Sequence, residues 1–159
     1  MMKYLTTIVF VLLSVSLCIA SCNKDTGATT AEPEVNNNGD QNNQTKNKMK
    51  ITVGDKVFTA TLDENETANA FKAMLPFTIN MSELNGNEKY FDLSKSLPVN
   101  SSNTGTIQNG DLMLYGSRTL VLFYKSFPTS YSYTRIGSID NISGLVEALG
   151  SGNVTVKYE

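Results

Sequence analysis

The sequence of 159 residues contains no histidine and no tryptophan, and it contains only two cysteines, Cys18 and Cys22. Histidine is the most common metal ligand and general base among the side chains, so its absence excludes Ser-His-Asp and Cys-His hydrolases. Both cysteines lie near the start of the chain, which leaves the other residues without a disulfide or a cysteine-ligated metal. We therefore expect no metal site and no cofactor.

Charge of either sign is sparse and nearly balanced. The chain has 13 lysines and arginines against 15 aspartates and glutamates, with a formal net charge of -2. Proteins that bind nucleic acid present a basic patch or stripe to the phosphates, and no stretch of this sequence concentrates basic residues. We therefore expect no nucleic-acid partner.

The N-terminus has the layout of a signal peptide over residues 1–21. Lys3 precedes an apolar segment at 8–19 that only two serines interrupt, and Ile-Ala-Ser-Cys follows at 19–22. A signal peptide combines a basic start, a short apolar core and small residues at the cleavage site. The apolar core is shorter than the roughly 20 residues of a transmembrane helix. The last four residues resemble the bacterial lipobox, which implies cleavage after residue 21 and a lipid on Cys22; the alternative is an ordinary secretory signal.

The resemblance to the lipobox also implies a membrane partner and a compartment. Lipid on Cys22 would anchor the processed chain to the cell envelope, since two or more acyl chains bind a membrane stably. The next residue is Asn23, whereas in many envelopes an aspartate there retains lipoproteins at the inner membrane. We therefore expect a lipid-anchored protein of the outer membrane, and its face stays open.

Composition separates a linker from a domain. Residues 22–48 are rich in Asn, Gln and Thr, and Val35 is their only large apolar residue. Such a segment cannot bury enough apolar surface to offset the entropy of ordering it, so we expect a flexible linker. Residues 49–159 have a mixed composition and the length of one domain, which we expect to be monomeric.

The domain is patterned as short strands with two short helices. Ile51 and Val53 alternate with polar residues before a Gly-Asp turn at 54–55, which is typical of a β-hairpin. The apolar run at 120–124 favours a central strand. About eight strands in so small a domain predict a mainly β fold closed into a barrel, because closure removes exposed strand edges. The two helices would cap its open ends.

Both helices are predicted from capping residues and apolar spacing. Asp63 and Glu66 look like a capping box at the start of the first helix. Its apolar face is predicted to hold Ala68, Phe71 and Leu75. Asp140 or Asn141 is expected to cap the second helix, which Gly150 would end. The apolar face of that helix is predicted to hold Ile142, Leu145, Val146 and Leu149.

Six segments of the domain resemble the bacterial cyclophilin-like domain in their order and spacing. They are ITVGDKVFTATL (51–62), LNGNEKYFDL (84–93), GTIQNGDLMLYG (105–116), RTLVLFYK (118–125), SYSYTRIG (130–137) and LVEALGSGNVTV (145–156). The resemblance covers nearly all of residues 49–159 and implies a small cyclophilin-like β-barrel capped by helices. It does not settle the function, since one fold can carry several activities.

The same resemblance raises peptidyl-prolyl isomerisation as an activity. That reaction needs a pocket for the proline ring and a cation beside the twisting amide, and the domain has two arginines, Arg118 and Arg135. The Phe-His-Arg motif of true cyclophilins is absent from the sequence. Arg135 therefore cannot be matched to the catalytic arginine, and we assign no catalytic residue. A weak isomerase stays open as an alternative function.

Tyrosines around an arginine suggest a binding module. In an extended segment, Tyr131, Tyr133 and Arg135 point to one face. Tyrosine offers an apolar face and a hydrogen-bonding tip, and the planar fork of arginine suits a carboxylate. We therefore predict a module that binds a peptide or a small ligand. The candidate ligand-binding residues are Arg135, Tyr131, Tyr133, Tyr115, Tyr124 and Tyr90.

Two alternatives to this site stay open. The tyrosines could fill barrel and cap positions, in which case the domain would be a structural or assembly partner without a ligand site. Arg135 could form a salt bridge with Asp140 or Asp111 that holds a loop in place. The two cases differ in whether the rings and the guanidinium group face a cleft.

Overall fold

The structure is a computed structural model that describes residues 47–159. The predicted leader, the lipidated Cys22 and the linker up to residue 46 lie outside the described residues and stay predictions. The strands are β1 (Lys48–Val53), β2 (Lys56–Leu62), β3 (Phe77–Leu84), β4 (Glu88–Asp92), β5 (Ser102–Asn103), β6 (Thr106–Ile107), β7 (Asp111–Tyr115), β8 (Thr119–Phe123), β9 (Phe127–Pro128), β10 (Ser132–Ile139) and β11 (Val154–Tyr158). The helices are α1 (Glu66–Lys72) and α2 (Leu145–Leu149).

Eight of these strands form a closed antiparallel barrel. Hydrogen-bonded neighbours follow the order β2-β1-β11-β3-β4-β8-β7-β10, and β10 pairs back with β2. Strand β5 adds to the start of β10, and β6 and β9 form a separate two-stranded ribbon. The prediction of a mainly β fold, with a closed barrel of about eight strands and two short helices, is confirmed.

Closure of the barrel requires a glycine at position 137. Gly137 lies opposite Leu62 of β2 and follows a β-bulge in β10. A Cβ atom at this position would lie 2.3 Å from the carbonyl oxygen of Thr61. Only glycine therefore lets the backbones of β10 and β2 approach closely enough to complete the hydrogen-bonded circle.

The two helices lie at opposite ends of the barrel. Helix α1 connects β2 to β3, and α2 connects β10 to β11; because β2 and β10 are antiparallel, the chain leaves them at opposite ends. Helix α1 buries Ala68 and Phe71 in the main core, and α2 buries Leu145 and Leu149 there. Each helix thus covers apolar side chains inside the barrel.

The helix caps differ from the sequence prediction. Asn65, and not Asp63, caps α1, because its side chain accepts a hydrogen bond from the backbone N–H of Ala68 at 2.8 Å. Helix α2 starts at Leu145, later than predicted, with Gly144 in a left-handed conformation at its N-cap. The start is delayed because the side chain of Asn141 accepts from the N–H of Ser143 within a local turn.

Side chains alternate across the barrel wall and form two apolar clusters. The inward set of β7 and β8 belongs to the main core and comprises Leu112, Leu114, Leu120 and Leu122. The outward set forms a second cluster that comprises Met113, Val121 and Phe123, joined by Ile107 and Tyr133. The ribbon of β6 and β9 covers part of this second cluster, since Ile107 is fully buried. The barrel therefore carries a packed apolar surface on its outer face.

None of the helices within residues 47–159 has the length and apolar composition needed to cross a membrane.

Candidate functional site

A cleft of about 380 Å³ lies on the outer face of the barrel, beside the second apolar cluster. Side chains from β4, β7, β8 and β10 line it, together with Phe127 from the ribbon. The turn between β3 and β4 contributes its rim, and Asn85 takes a left-handed conformation there with φ 57°. The volume falls within the range of small-ligand pockets.

Aromatic rings form a connected row along the cleft. Tyr131 meets Tyr115 edge to face with 6.2 Å between ring centroids, and Tyr115 lies 5.6 Å from Tyr133. Tyr133 packs on Phe123 at 5.5 Å, and Phe123 packs on Phe127 at 5.7 Å. Edge-to-face contacts of this kind fix the ring orientations. The row runs from the buried cluster to the exposed rim, where Tyr115 is 46% exposed and Tyr131 is 62% exposed.

Strand β4 contributes an alternating acidic and aromatic edge. Glu88, Tyr90 and Asp92 are spaced two residues apart, and all three line the cleft. Tyr90 lies opposite Val121 of β8, and Asp92 lies opposite Thr119, whose hydroxyl donates to Asp92 Oδ1 at 2.6 Å. The floor of the cleft is therefore apolar, with a carboxylate towards each end of β4.

Glu88 is the more buried of the two carboxylate side chains that line the cleft. Only 9% of its surface is exposed, and its carboxylate has no hydrogen-bond or ion-pair partner among residues 47–159. Burial, followed by the charge of Glu83, raises the pKa of the Glu88 carboxyl above its ordinary range. Partial desolvation of a carboxylate that has no partner disfavours its ionised form.

The hydroxyl of Tyr133 lies in the same electrostatic environment. Burial, and then the charge of Glu88, raise the pKa of Tyr133 to about 12. The phenol thus stays protonated at neutral pH and keeps a hydrogen to donate. Close by in sequence, Asn87 also lines the cleft, and its side-chain oxygen is buried without a hydrogen-bond partner in the described part of the chain.

Four of the six ligand-binding candidates lie together in this cleft. They are Tyr90, Tyr115, Tyr131 and Tyr133. Two candidates, Tyr124 and Arg135, do not line it.

Arg135 does not line the cleft, and two carboxylates hold its guanidinium group. Its Nη1 donates to Asp111 Oδ1 at 3.1 Å, and its Nε donates to Asp63 Oδ2 at 3.2 Å. Asp111 lies at the start of β7, whereas Tyr115 of the cleft lies at its end. Of the two salt bridges considered as alternatives to ligand binding by Arg135, the one to Asp111 is present, whereas Asp140 pairs with Lys48.

Tyr124 belongs to the main core and takes part in a buried ion-pair network. Its hydroxyl donates to both carboxylate oxygens of Glu83, at 2.8 and 2.9 Å. Glu83 also pairs with Lys89, which is fully buried and donates to the carbonyl oxygens of Gly150 and Gly152. This network ties the end of α2 to β3 and β4, and its role is structural.

Glu88, Asp92 and Phe127 also line the cleft and were not predicted from the sequence. A signal for the two acids was present, because Glu88, Tyr90 and Asp92 share one face of a strand by their spacing. Phe127 carried no such signal, since its ribbon pairs with Thr106 and Ile107 across about twenty residues of chain. The position of that ribbon depends on tertiary packing.

The chemistry of the cleft follows from the residues that line it. Of the described residues that line it, none is a lysine or an arginine, and the ionisable side chains besides tyrosine are Glu88 and Asp92. Residues 47–159 contain no group of three or more acidic or thiol side chains that could hold a metal ion. What the cleft offers is aromatic surface, tyrosine hydroxyls and two carboxylates.

Comparison with known proteins bears on the fold. A family model described as the cyclophilin-like family matches residues 51–159. The solution structure of a hypothetical protein from Archaeoglobus fulgidus is similar, with 19% sequence identity and a TM-score of 0.50, over 70% of this chain and 92% of that chain. This likeness supports the fold alone. No curated protein matches the chain.

Proposed function

The chain belongs to the cyclophilin-like family, and we propose that its barrel is a binding module that holds a peptide or a small ligand in the outer cleft. The observation that carries this proposal is that four tyrosines line one cavity of about 380 Å³. They come from β4, β7, β10 and the segment just before β10. Ligand sites are typically concave and largely apolar, with a few placed polar groups. The cleft has these properties.

Exposure of the rim supports binding over a purely structural role. A structural domain would bury its rings, whereas Tyr115 and Tyr131 keep about half or more of their surface exposed. Leu84, on the opposite rim, is 41% exposed as well. Contiguous exposed apolar surface beside a cavity commonly marks an interaction site, and tyrosine loses little side-chain entropy when it binds.

Isomerase activity receives less support from the same geometry. Twisting a prolyl amide is helped by a cation that holds the carbonyl or approaches the nitrogen. The guanidinium of Arg135 is already paired with Asp63 and Asp111, and the charged groups of the cleft are carboxylates. Binding therefore explains the site without a catalytic step.

Attachment to a membrane is the second part of the proposal. The leader at residues 1–21, directly before Cys22, supports a lipid anchor, and the Asn-rich segment that follows would hold the barrel away from the lipid surface. An envelope-tethered module could then capture its ligand outside the cytoplasm. Outer-membrane placement rests on Asn23 following the lipidated cysteine.

Tyrosine fluorescence provides a direct test of the binding function. The chain has seven tyrosines and no tryptophan, and four of the tyrosines line the cleft, so a bound ligand should change the intrinsic emission. We would screen a collection of small fragments and short peptides against the full chain in non-ionic detergent, and confirm hits by isothermal titration calorimetry.

Two rim variants and one control identify the binding surface. Tyr115→Ala and Tyr131→Ala should each weaken hits by about tenfold, the upper range for one aromatic contact, in a protein that stays folded. Val57→Ala removes a side chain that is 60% exposed and does not line the cleft, so it should bind like the wild type. Hits that ignore both tyrosine variants, or a screen without any hit, would contradict the proposed function.

A further inference from the structure

We propose that the ligand of the cleft is cationic and presents a primary ammonium or guanidinium group on an aliphatic stem, as a lysine or arginine side chain does. This inference rests on the proposed binding function and narrows it to one chemical class. Glu88 would pair with the cationic group, the tyrosine rings would surround it, and the apolar floor would contact the stem.

The carboxylate of Glu88 supplies the first argument. It faces the cleft from a side chain that is 91% buried, and it has no partner of its own among residues 47–159. Charged side chains are rarely buried to this extent unless they are paired, and the desolvation of an unpaired charge is unfavourable. A cationic group in the cleft would provide the missing partner.

The neighbouring polar groups favour a ligand rich in hydrogen-bond donors. Glu88 and Asp92 present two carboxylates on the same strand face of the cleft. An ammonium or guanidinium group has only donors, which matches this set of acceptors. An anionic ligand would meet two carboxylates and no lysine or arginine on the lining.

The aromatic and apolar lining supplies the third argument. Tyrosine faces attract cations through their π electrons. The ring centroids of Tyr115 and Tyr133 lie 5.6 Å apart, and both residues line the cleft. Leu84, Val121 and Phe127 provide apolar surface on the same lining. The methylene stem of a long cationic side chain buries itself against such surface while its charged end reaches a polar partner.

The electrostatic state of Glu88 agrees with this assignment. Burial and the charge of Glu83 raise the pKa of its carboxyl, as expected for an acid that lacks a cation. A bound cation would favour the ionised form and lower that pKa again. Ligand binding and ionisation of Glu88 would thus promote each other.

A pair of matched probes tests the charge directly. Nα-acetyl-lysine methylamide and Nα-acetyl-norleucine methylamide have similar aliphatic stems, and only the lysine derivative carries a side-chain ammonium group. We would titrate each into the full chain in non-ionic detergent at neutral pH by isothermal titration calorimetry. The lysine probe should bind at least about tenfold more tightly, which corresponds to about 1.4 kcal/mol.

Two substitutions with equal charge change locate the effect. Glu88→Gln keeps the shape of the side chain and should abolish most of the preference for the lysine probe. Glu147→Gln changes an exposed residue of α2 that does not line the cleft and should retain the preference. Tyr131→Ala is a further variant at the rim, which should weaken the lysine probe even if Glu88→Gln disturbs the fold.

The outcomes separate this inference from the proposed function. If the norleucine probe or neutral fragments bind in the cleft at least as tightly as the lysine probe, the ligand is not cationic and the binding function stands. If the preference survives Glu88→Gln in a folded protein, Glu88 is not the partner and the inference fails. If no fragment or probe binds the cleft, both proposals fail.

Discussion

Replacing Glu88 by glutamine should make the free barrel more stable at neutral pH. The substitution keeps the size of a side chain that is 9% exposed and removes a carboxylate that has no partner within the described residues. The groups that act on its charge are Glu83 on β3, Tyr124 after β8 and Tyr133 on β10. None of these groups is a cation. The substitution therefore removes the desolvation of the Glu88 carboxylate and its repulsion by Glu83, and it breaks no ion pair.

The sign of the pH dependence follows from the direction of the pKa shift. Because the folded-state pKa of Glu88 is raised, the native state binds its proton more readily than the unfolded state, and the destabilising effect develops as pH rises from the unfolded to the folded pKa. Above that window, Glu88→Gln should raise the free energy of unfolding by roughly 0.5–2 kcal/mol, the usual gain from relieving one unfavourable site. Below both pKa values, Glu88 is neutral in either state and the gain should vanish.

Urea denaturation of the full chain, followed by circular dichroism at neutral and at acidic pH, measures both effects. Glu147→Gln makes the same charge change at an exposed position of α2 and should shift the free energy of unfolding little at either pH. A Glu88→Gln protein that is less stable at neutral pH would show that the carboxylate has a stabilising partner. A gain of equal size at both pH values would show that ionisation is not its cause.

Three further substitutions test the core, the arginine and the anchor. Leu122→Ala should lower the free energy of unfolding by about 2–5 kcal/mol in urea denaturation, because it leaves a cavity at a fully buried position of β8; a loss below about 1 kcal/mol would place Leu122 outside the core. Arg135→Ala should lower the free energy of unfolding by about 1–3 kcal/mol, because it leaves Asp111 buried without its cation. The calorimetric affinity for the lysine probe should not change, and weaker binding of that probe would show that Arg135 contributes to the binding site. Cys22→Ser should abolish incorporation of a labelled fatty acid in cells, and equal labelling of both proteins would contradict the lipid anchor.

Much of the barrel could be predicted from local sequence because its strands are short and joined by recognisable turns. The hairpin of β1 and β2 follows from alternation around Gly54, which takes a positive φ of 59°. Closure is different, since it pairs β10 with β2 across most of the domain. It depends on the absence of a side chain at Gly137, and sequence pattern alone does not show which backbone a glycine must approach.

Long-range partners also explain the differences at α1 and at Arg135. Asp63 and Asn65 are both suitable N-cap residues, and local sequence does not choose between them. In the structure the side chain of Asp63 pairs with Arg135, 72 residues away, and Asn65 caps α1. The same salt bridge thus involves both the residue predicted to cap α1 and the arginine predicted to bind a ligand, and local sequence could not show this partnership.

The alternation of β3 and β4 explains why the charge of Glu88 stays available to a ligand. Lys89 is the next residue, but successive side chains of a strand point to opposite faces, so its ammonium lies on the inner side with Glu83 and the carbonyl oxygens of Gly150 and Gly152. Those partners satisfy Lys89 completely, since it has three donors. Glu88 lies opposite Phe123 of the outer cluster, where no described side chain offers a cation. Strand β4 thus places the paired Lys89 inside the barrel and the unpaired carboxylate of Glu88 on its outer face. The desolvation of that carboxylate destabilises the fold, and a cationic ligand would offset this effect.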